Sequence, residues 1–254
     1  MFIINRDQNV FVYQERRYLP GREVIDCHAH ILPGVDDGAR DMAESLELLR
    51  CAYVNGIRTI YCTPHYHRQE SNRQVKDVFR EFLRTVHEKY PRISAEMDIF
   101  LGHELVFHEE LPERIAEGEA FPLGDTDRLL IEFDPGISLA AMFRQLRVLT
   151  GAGYVPVVAH MERYEALKKK ENIRELKDAG CLMQVNFSSV TGDSVTGKDA
   201  LFGGALSPEV RRVRNLIREG WIDLYGTDMH RRDLRPPAVE MQLRWLKENR
   251  TGVF

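Results

Sequence analysis

The chain has 254 residues, enough for one large domain or two small ones, and its 43% apolar content allows a sizeable core. A net charge of −4, with acids and bases interspersed, excludes the basic stripe of a nucleic-acid surface. No apolar run approaches the ~20 residues that span a bilayer, so membrane insertion is excluded as well. The opening Met1-Phe2-Ile3-Ile4-Asn5-Arg6 meets charge at once and lacks the pattern of a signal peptide. Four scattered cysteines, Cys27, Cys51, Cys62 and Cys181, suit buried free thiols in a reducing compartment. A soluble, cytoplasmic protein is expected.

In chain order, residues 1–22 stand apart as an N-terminal extension, with a short strand or hairpin arm at Val10-Phe11-Val12-Tyr13. A single domain over 23–254 follows. Its seven short apolar runs rich in β-branched residues, at 24–27, 59–62, 98–101, 129–133, 154–159, 182–186 and 222–226, read as buried parallel strands. Helical stretches separate them. Asp41-Met42-Ala43-Glu44 has the form of a capping box and opens a helix to Asn55, with Gly56 as its stop. A second helix at 74–89 ends before Pro91, and others at 138–149, 165–179 and 209–219 end at Gly151, Gly180 and Gly220. A last helix covers 238–249. Unbroken alternation of strand and helix calls for a parallel sheet wrapped by helices. Seven repeats fit a barrel better than an open sheet, so the expected fold is α/β, a distorted seven-stranded (β/α)7 TIM-like barrel.

The polar residues that follow these strands point to metal chemistry. Asp26-Cys27-His28-Ala29-His30 places two imidazoles on one side of a strand end, where a single cation can take both. The loop Leu32-Pro33-Gly34-Val35-Asp36-Asp37-Gly38 returns toward the same face and offers an aspartate, although Asp-Gly is also a common turn. Thr63-Pro64-His65 sets an imidazole beyond a direction-fixing proline, while His67 reads as solvent-exposed. Glu104 follows Gly102-His103 and is placed to bridge two cations, with His103 open to a packing role. Glu132, inside the apolar Leu130-Ile131-Glu132-Phe133, needs a cationic partner. His160 closes one strand, and Asp228 with His230 closes the last. Each is ambiguous alone; gathered at one barrel face, these histidines and carboxylates suit two or three divalent ions such as manganese, iron or zinc. Arg163 and Arg235, close beyond His160 and His230, suit bidentate phosphate capture. Cys62 to Arg68 matches the Cys-x5-Arg spacing of thiol phosphatases, but the stretch has no glycine and holds a proline that lacks an N–H, so the match is treated as coincidence.

Together with Ile131-Glu132-Phe133, Ala159-His160-Met161-Glu162-Arg163-Tyr164, Gln184-Val185-Asn186, Asp228-Met229-His230 and Arg235-Pro236-Pro237, these stretches resemble the polymerase and histidinol phosphatase (PHP) superfamily. More narrowly, they are similar to the manganese-dependent tyrosine phosphatases of bacterial capsule and exopolysaccharide operons. The resemblance runs from about Val24 to Pro237. It implies the PHP fold and a three-metal site: His28, His30, Glu104 and Asp228 on one ion; Glu104, Glu132 and His160 on a second; His65, His230 and either Asp37 or Asp36 on the third. It implies that Arg163 and Arg235 grip the phosphoryl group while metal-activated hydroxide attacks phosphotyrosine on a protein, a bacterial tyrosine kinase being the expected partner. The extension is longer than the family's usual start, and the last helix is followed by no further closing helix.

Alternatives that share the cage are a small-molecule phosphatase of the histidinol-phosphate kind and a PHP phosphodiesterase, the latter disfavoured by the lack of a basic approach. A catalytically silent regulator is a third, disfavoured because unused buried carboxylates repel one another. The oligomeric state is left open.

Overall fold

The structure, a computed structural model, describes residues 3–4, 11–12, 24–66, 73–192, 207–231 and 239–249. The strand expected near Phe11 is present: β1 (Ile3–Ile4) pairs antiparallel with β2 (Phe11–Val12). All seven apolar runs form strands, and every ladder among them is parallel. β3 (Val24–Ala29), β4 (Ile57–Cys62) and β5 (Asp98–Leu101) make one sheet. β6 (Glu104–Val106), β7 (Arg128–Glu132), β8 (Val155–Val158), β9 (Leu182–Asn186) and β10 (Leu224–Gly226) make the other, in the order β10-β9-β8-β7-β6. The α/β fold with parallel sheets is as expected, but strands β3–β10 form two sheets with one strand more than the seven the sequence offers. The extra strand, β6, arises because the β4–β5 ladder ends with the Gly102 N–H on Cys62 O, and the next N–H, that of His103, turns away to Phe121 O. β5 therefore pairs with β4 and β6 with β7, and a bridge from His65 to Glu104 joins the sheets at this seam.

At the other seam β3 meets β10's end without a full ladder. The His30 N–H donates to Met229 O and the Asp228 N–H to His28 O, both at 2.8 Å. Gly226 permits this approach, since a Cβ there would fall 2.5 Å from the Cβ of His28. Buried Asp26 staples the same seam, accepting from the Thr227 N–H at 2.8 Å and the Thr227 hydroxyl at 2.6 Å.

The helices are α1 (Met42–Val54), α2 (Arg73–Lys89), α3 (Pro91–Glu96), α4 (Leu111–Ala116), α5 (Leu139–Gly151), α6 (Lys170–Asp178), α7 (Ser188–Thr191), α8 (Pro208–Arg218) and α9 (Glu240–Asn249). Asp41 caps α1 by accepting from the Glu44 N–H, but Glu44 returns to the N–H and guanidinium of Arg40, one residue before the position a capping box requires. The helix expected from 165 begins only at Lys170. His160 adopts a left-handed backbone, and two 3-10 turns, Met161–Arg163 and Glu165–Leu167, follow it. Apolar faces such as Leu46, Leu49 and Ala52 of α1, Leu146 and Leu149 of α5 and Val213 and Leu216 of α8 join one continuous core. Among the described residues no helix is long and apolar enough to cross a membrane.

The staple has a pH signature. Burial raises Asp26 to about 6, against the lowering effect of its bonds to Thr227. A carboxyl raised in the folded state favours folding while protonated, and that contribution is lost as pH rises from about 4 through about 6. Asp26→Asn retains an acceptor for the Thr227 N–H and for the His28 N–H, which also donates to Asp26 Oδ1 at 3.2 Å, and never ionises. Its unfolding midpoint, measured beside the parent's by thermal melts, should therefore gain on the parent's between those pH values; parallel curves would contradict the assignment.

Candidate metal centre

The carboxyl ends of the parallel strands converge on one carboxylate. Glu104, at the start of β6 and 2% exposed, directs Oε2 to His28 Nε2 at 3.1 Å, His30 Nε2 at 3.2 Å and His65 Nδ1 at 3.3 Å. Its Oε1 lies 3.0 Å from His160 Nε2. Glu132, ending β7, stands 3.4 Å from the same His160 nitrogen and 3.9 Å from His65 Nδ1. Asp228 Oδ1 faces His28, His30 and His230 at 3.6, 3.7 and 3.5 Å. The strand-end histidines and acids chosen from the sequence thus share one cluster. Three groups of side chains bring their donor atoms within 4.8 Å of one another: His30, Asp37, His65 and His230; His28, His30 and Asp228; and His65, Glu104 and Glu132.

The structure separates the two aspartates that the sequence left equivalent. Asp36 turns inward with its side chain buried and receives His30 Nδ1 at 2.7 Å and the Gly38 and His65 N–H groups; burial raises it, but the bond and charge of His30 together with the two N–H groups outweigh burial and lower it to about 2. Asp37 is 63% exposed and places Oδ1 3.6 Å from His65 Nε2 and 3.5 Å from His230 Nε2. The loop is pressed so closely on His30 that a Cβ at position 38 would sit 2.1 Å from His30 O, which accounts for Gly38.

The donor chemistry fits cations. Each of His28, His30 and His230 turns Nδ1 toward an acceptor: Gln184 Oε1 at 3.5 Å, Asp36 Oδ2 at 2.7 Å and Asp228 O at 2.9 Å. An imidazole that donates through Nδ1 presents a lone pair at Nε2, and these Nε2 atoms point into the cluster. His28 and His30 bring theirs within 3.0 Å of each other, close enough for one cation or one shared proton to lie between them. The surrounding carboxylates favour positive charge in the cluster. Burial disfavours a charged His30, but bonds to Asp36 and Glu104 outweigh it and raise the group well above its ordinary value. Burial and the Arg163 charge lower His160, yet Glu104 and Glu132 raise it to about 9. Burial would raise Glu104, but the facing histidines hold it well below the usual carboxylate range.

Other residues support the cage. Among the described non-glycine residues only His160 (φ 31°) and Asp228 (φ 51°) have positive φ, and both belong to the cluster. Arg163 reaches the centre, where its Nη2 donates to Asp228 Oδ2 at 2.8 Å, so part of its guanidinium is committed to the cage itself. Arg235 and His67 lie outside the described residues. His103 packs: its ring stacks on Phe121 at 4.4 Å and its Nδ1 accepts the Phe121 N–H. The sequence assigned no role to Gln184, Asn186 and Tyr164. Gln184 accepts the His160 N–H, Asn186 donates to Asp228, and the Tyr164 hydroxyl lies 3.3 Å from His160 Nδ1. The i, i+2 spacing of two polar residues in the otherwise buried run 182–186 was the available signal.

Two parallel sheets with a histidine–carboxylate cage at their carboxyl ends mark an α/β protein of the metal-dependent hydrolase kind. The chain belongs to the CpsB/CapC family of capsular polysaccharide synthesis, whose family model matches residues 24–252. Over 217 residues it is 32% identical to the tyrosine-protein phosphatase CpsB of Streptococcus agalactiae, covering 85% of this chain and 86% of that one. It is 33% identical over 209 residues to the tyrosine-protein phosphatase YwqE of Bacillus subtilis, covering 82% and 77%. Its fold is similar, at a TM-score of 0.70 and 27% identity over 89% of this chain and 87% of the other, to a crystal structure from a study of YwqE from Bacillus subtilis and CpsB from Streptococcus pneumoniae, described as unique metal-dependent tyrosine phosphatases. A D-hydantoinase from Bacillus sp. AR9 shares the fold alone, at a TM-score of 0.51 and 13% identity over 83% of this chain and 58% of that one.

Cys62 has none of the surroundings of a nucleophile. It is fully buried, and burial followed by the Asp26 charge pushes its thiol far above the ordinary range. Iodoacetamide should modify half-buried Cys51 first in the native protein, with Cys27, Cys62 and Cys181 reacting only on unfolding. Peptide mapping after timed alkylation checks this, and early labelling of Cys62 would contradict it.

Proposed function

We propose that this chain is a metal-dependent phosphoric monoester hydrolase that removes phosphate from tyrosine residues of proteins. The observation that carries the reading is Glu104, one buried carboxylate whose two oxygens face four imidazoles from three different strand ends. The names of the CpsB and YwqE relatives support the substrate class. The preferred cellular partner is a bacterial tyrosine kinase of capsule or exopolysaccharide synthesis, met in the cytoplasm.

In this reading His28, His30, Glu104 and Asp228 would hold one ion, and Glu132 and His160, with Glu104, would hold a second. Asp37, His65 and His230 would hold a third, while Asp36 orients His30 through Nδ1. Manganese is the proposed resident metal; iron and zinc accept the same donors. Bound ions of this kind supply Lewis acidity, bringing the pKa of a water toward neutrality and offsetting charge on phosphoryl oxygens. The protein's own part is orientation. Asp36, Gln184 and the Asp228 carbonyl turn three imidazoles inward. Arg163, anchored through Nη2 and 28% exposed, offers its remaining N–H groups to a phosphoryl oxygen, with Arg235 as its partner. A phenolate leaves readily, so no strong general acid is needed.

We propose that β5 and β6 are halves of one stave of a seven-stave barrel in a single domain over 23–254, preceded by an N-terminal extension, 1–22.

The test compares phosphate release from a phosphotyrosyl peptide, a phosphoseryl peptide and histidinol phosphate, each with manganese and with chelator. Chelator-sensitive release selective for phosphotyrosine is expected. Preference for histidinol phosphate would move the protein to small-molecule chemistry, and no release despite bound metal would favour a diester substrate or a silent regulator. His28→Ala and Asp228→Ala should lower kcat/KM by at least about a hundredfold, whereas Cys62→Ser should leave turnover nearly intact. A folded, metal-loaded Cys62→Ser protein without activity would overturn the mechanism.

A further inference from the structure

We infer that Gln184 and Asn186 form a one-way relay of buried amides that positions His160 and Asp228 in the metal cage, an inference that rests on the metal reading above. The two residues stand at i and i+2 on β9 and therefore project to the same face. They are 0% and 3% exposed, and their partners bridge the carboxyl ends of β8 and β10. The His160 N–H donates to Gln184 Oε1 at 2.6 Å. Gln184 Nε2 donates to Asn186 Oδ1 at 2.9 Å, and Asn186 Nδ2 donates to Asp228 Oδ2 at 2.9 Å. A backbone N–H at one end can only donate, and a carboxylate at the other can only accept. Each amide between them has one acceptor end and one donor end, so the direction of both side chains is fixed.

The two residues at the ends of the relay are those whose backbones are strained. A non-glycine residue in a sparsely populated backbone region is costly and persists where its surroundings over-determine it. Gln184 holds the left-handed turn of His160, which brings His160 Nε2 to 3.0 Å from Glu104 and 3.4 Å from Glu132. Asn186 and Arg163 together engage Asp228 Oδ2, at 2.9 and 2.8 Å, so that Oδ1 is the oxygen turned toward His28, His30 and His230. The relay thus decides which oxygen of Asp228, and which edge of His160, the cage receives.

Its own base is fixed. Glu162 Oε1 accepts the Asn186 N–H at 3.0 Å and the Ser189 hydroxyl at 2.7 Å, tying the end of β9 to α7. Space on the other side is equally constrained, since a Cβ on Gly226 would lie 3.1 Å from Gln184 Nε2. The relay is a positioning device: neither amide is a metal donor or meets the phosphoryl group.

The test measures manganese affinity of the full chain by competition with a fluorescent chelator, for the parent, Gln184→Met, Asn186→Leu and the double variant. Circular dichroism and thermal melts accompany it. Each single variant should fold and bind manganese about ten- to a hundredfold more weakly, the loss usual when groups that orient metal ligands are removed. Because the amides act as one chain, the double variant should lose little more than the worse single variant, a coupling that independent packing defects do not produce. Asn186→Ser, which removes the Nδ2 donor at small cost in polarity, takes the place of the leucine variant if that one does not fold. Folded variants that bind as tightly as the parent, or losses that simply add, would overturn the relay while leaving the metal reading intact. A parent chain that binds no divalent ion would overturn both.

Discussion

The architecture of the site depends on a single electrostatic requirement: a carboxylate buried to 2% exposure at Glu104 must be surrounded by positive charge. Imidazoles from the ends of β3, β4 and β8 answer it with the nitrogen edges whose lone pairs face inward. Lone pairs opposite a carboxylate are not in themselves attractive. They become so when a proton or a metal ion lies between, and the raised proton affinities of His30 and His160 express that demand. A site this hungry for cations is consistent with a family whose solved relative is described as metal-dependent.

The scaffold delivers those imidazoles through two irregular seams. At Gly102-His103 the ladder breaks, which lets Glu104 begin a new strand paired with β7 and face the centre. At the opposite seam, Gly226 and the Asp26–Thr227 staple draw β10 against β3 and carry Asp228 and His230 to His28 and His30. The irregularities therefore lie where the chemistry is. A regular ladder at either place would direct these side chains elsewhere, because side-chain direction alternates strictly along a strand.

Much of this was legible in the sequence because burial leaves a plain mark there. Seven apolar runs became strands, and residues such as His28, His30, Glu104 and Asp228 stood out as polar groups placed where a strand should end. What escaped was decided by tertiary contact. Nothing local distinguishes Asp36 from Asp37; the difference appears only once the loop folds down on His30. Glu44 has the spacing of a capping box, yet the Arg40 side chain and N–H draw it away. The helix expected from 165 starts late because the left-handed His160 and its 3-10 turns return Arg163 and Tyr164 to the site. Gln184 and Asn186 belong to the stretches that carry the family resemblance, but their roles appear only once their partners across the sheet are known.

The central claim is that Glu104 is shared by more than one bound ion. Electron paramagnetic resonance of the manganese-loaded protein tests it most directly. Ions bridged by a common carboxylate should give an exchange-coupled spectrum, and Glu104→Gln should convert it to that of isolated ions. At full loading of the parent chain, a spectrum showing only the hyperfine pattern of isolated manganese would contradict the account.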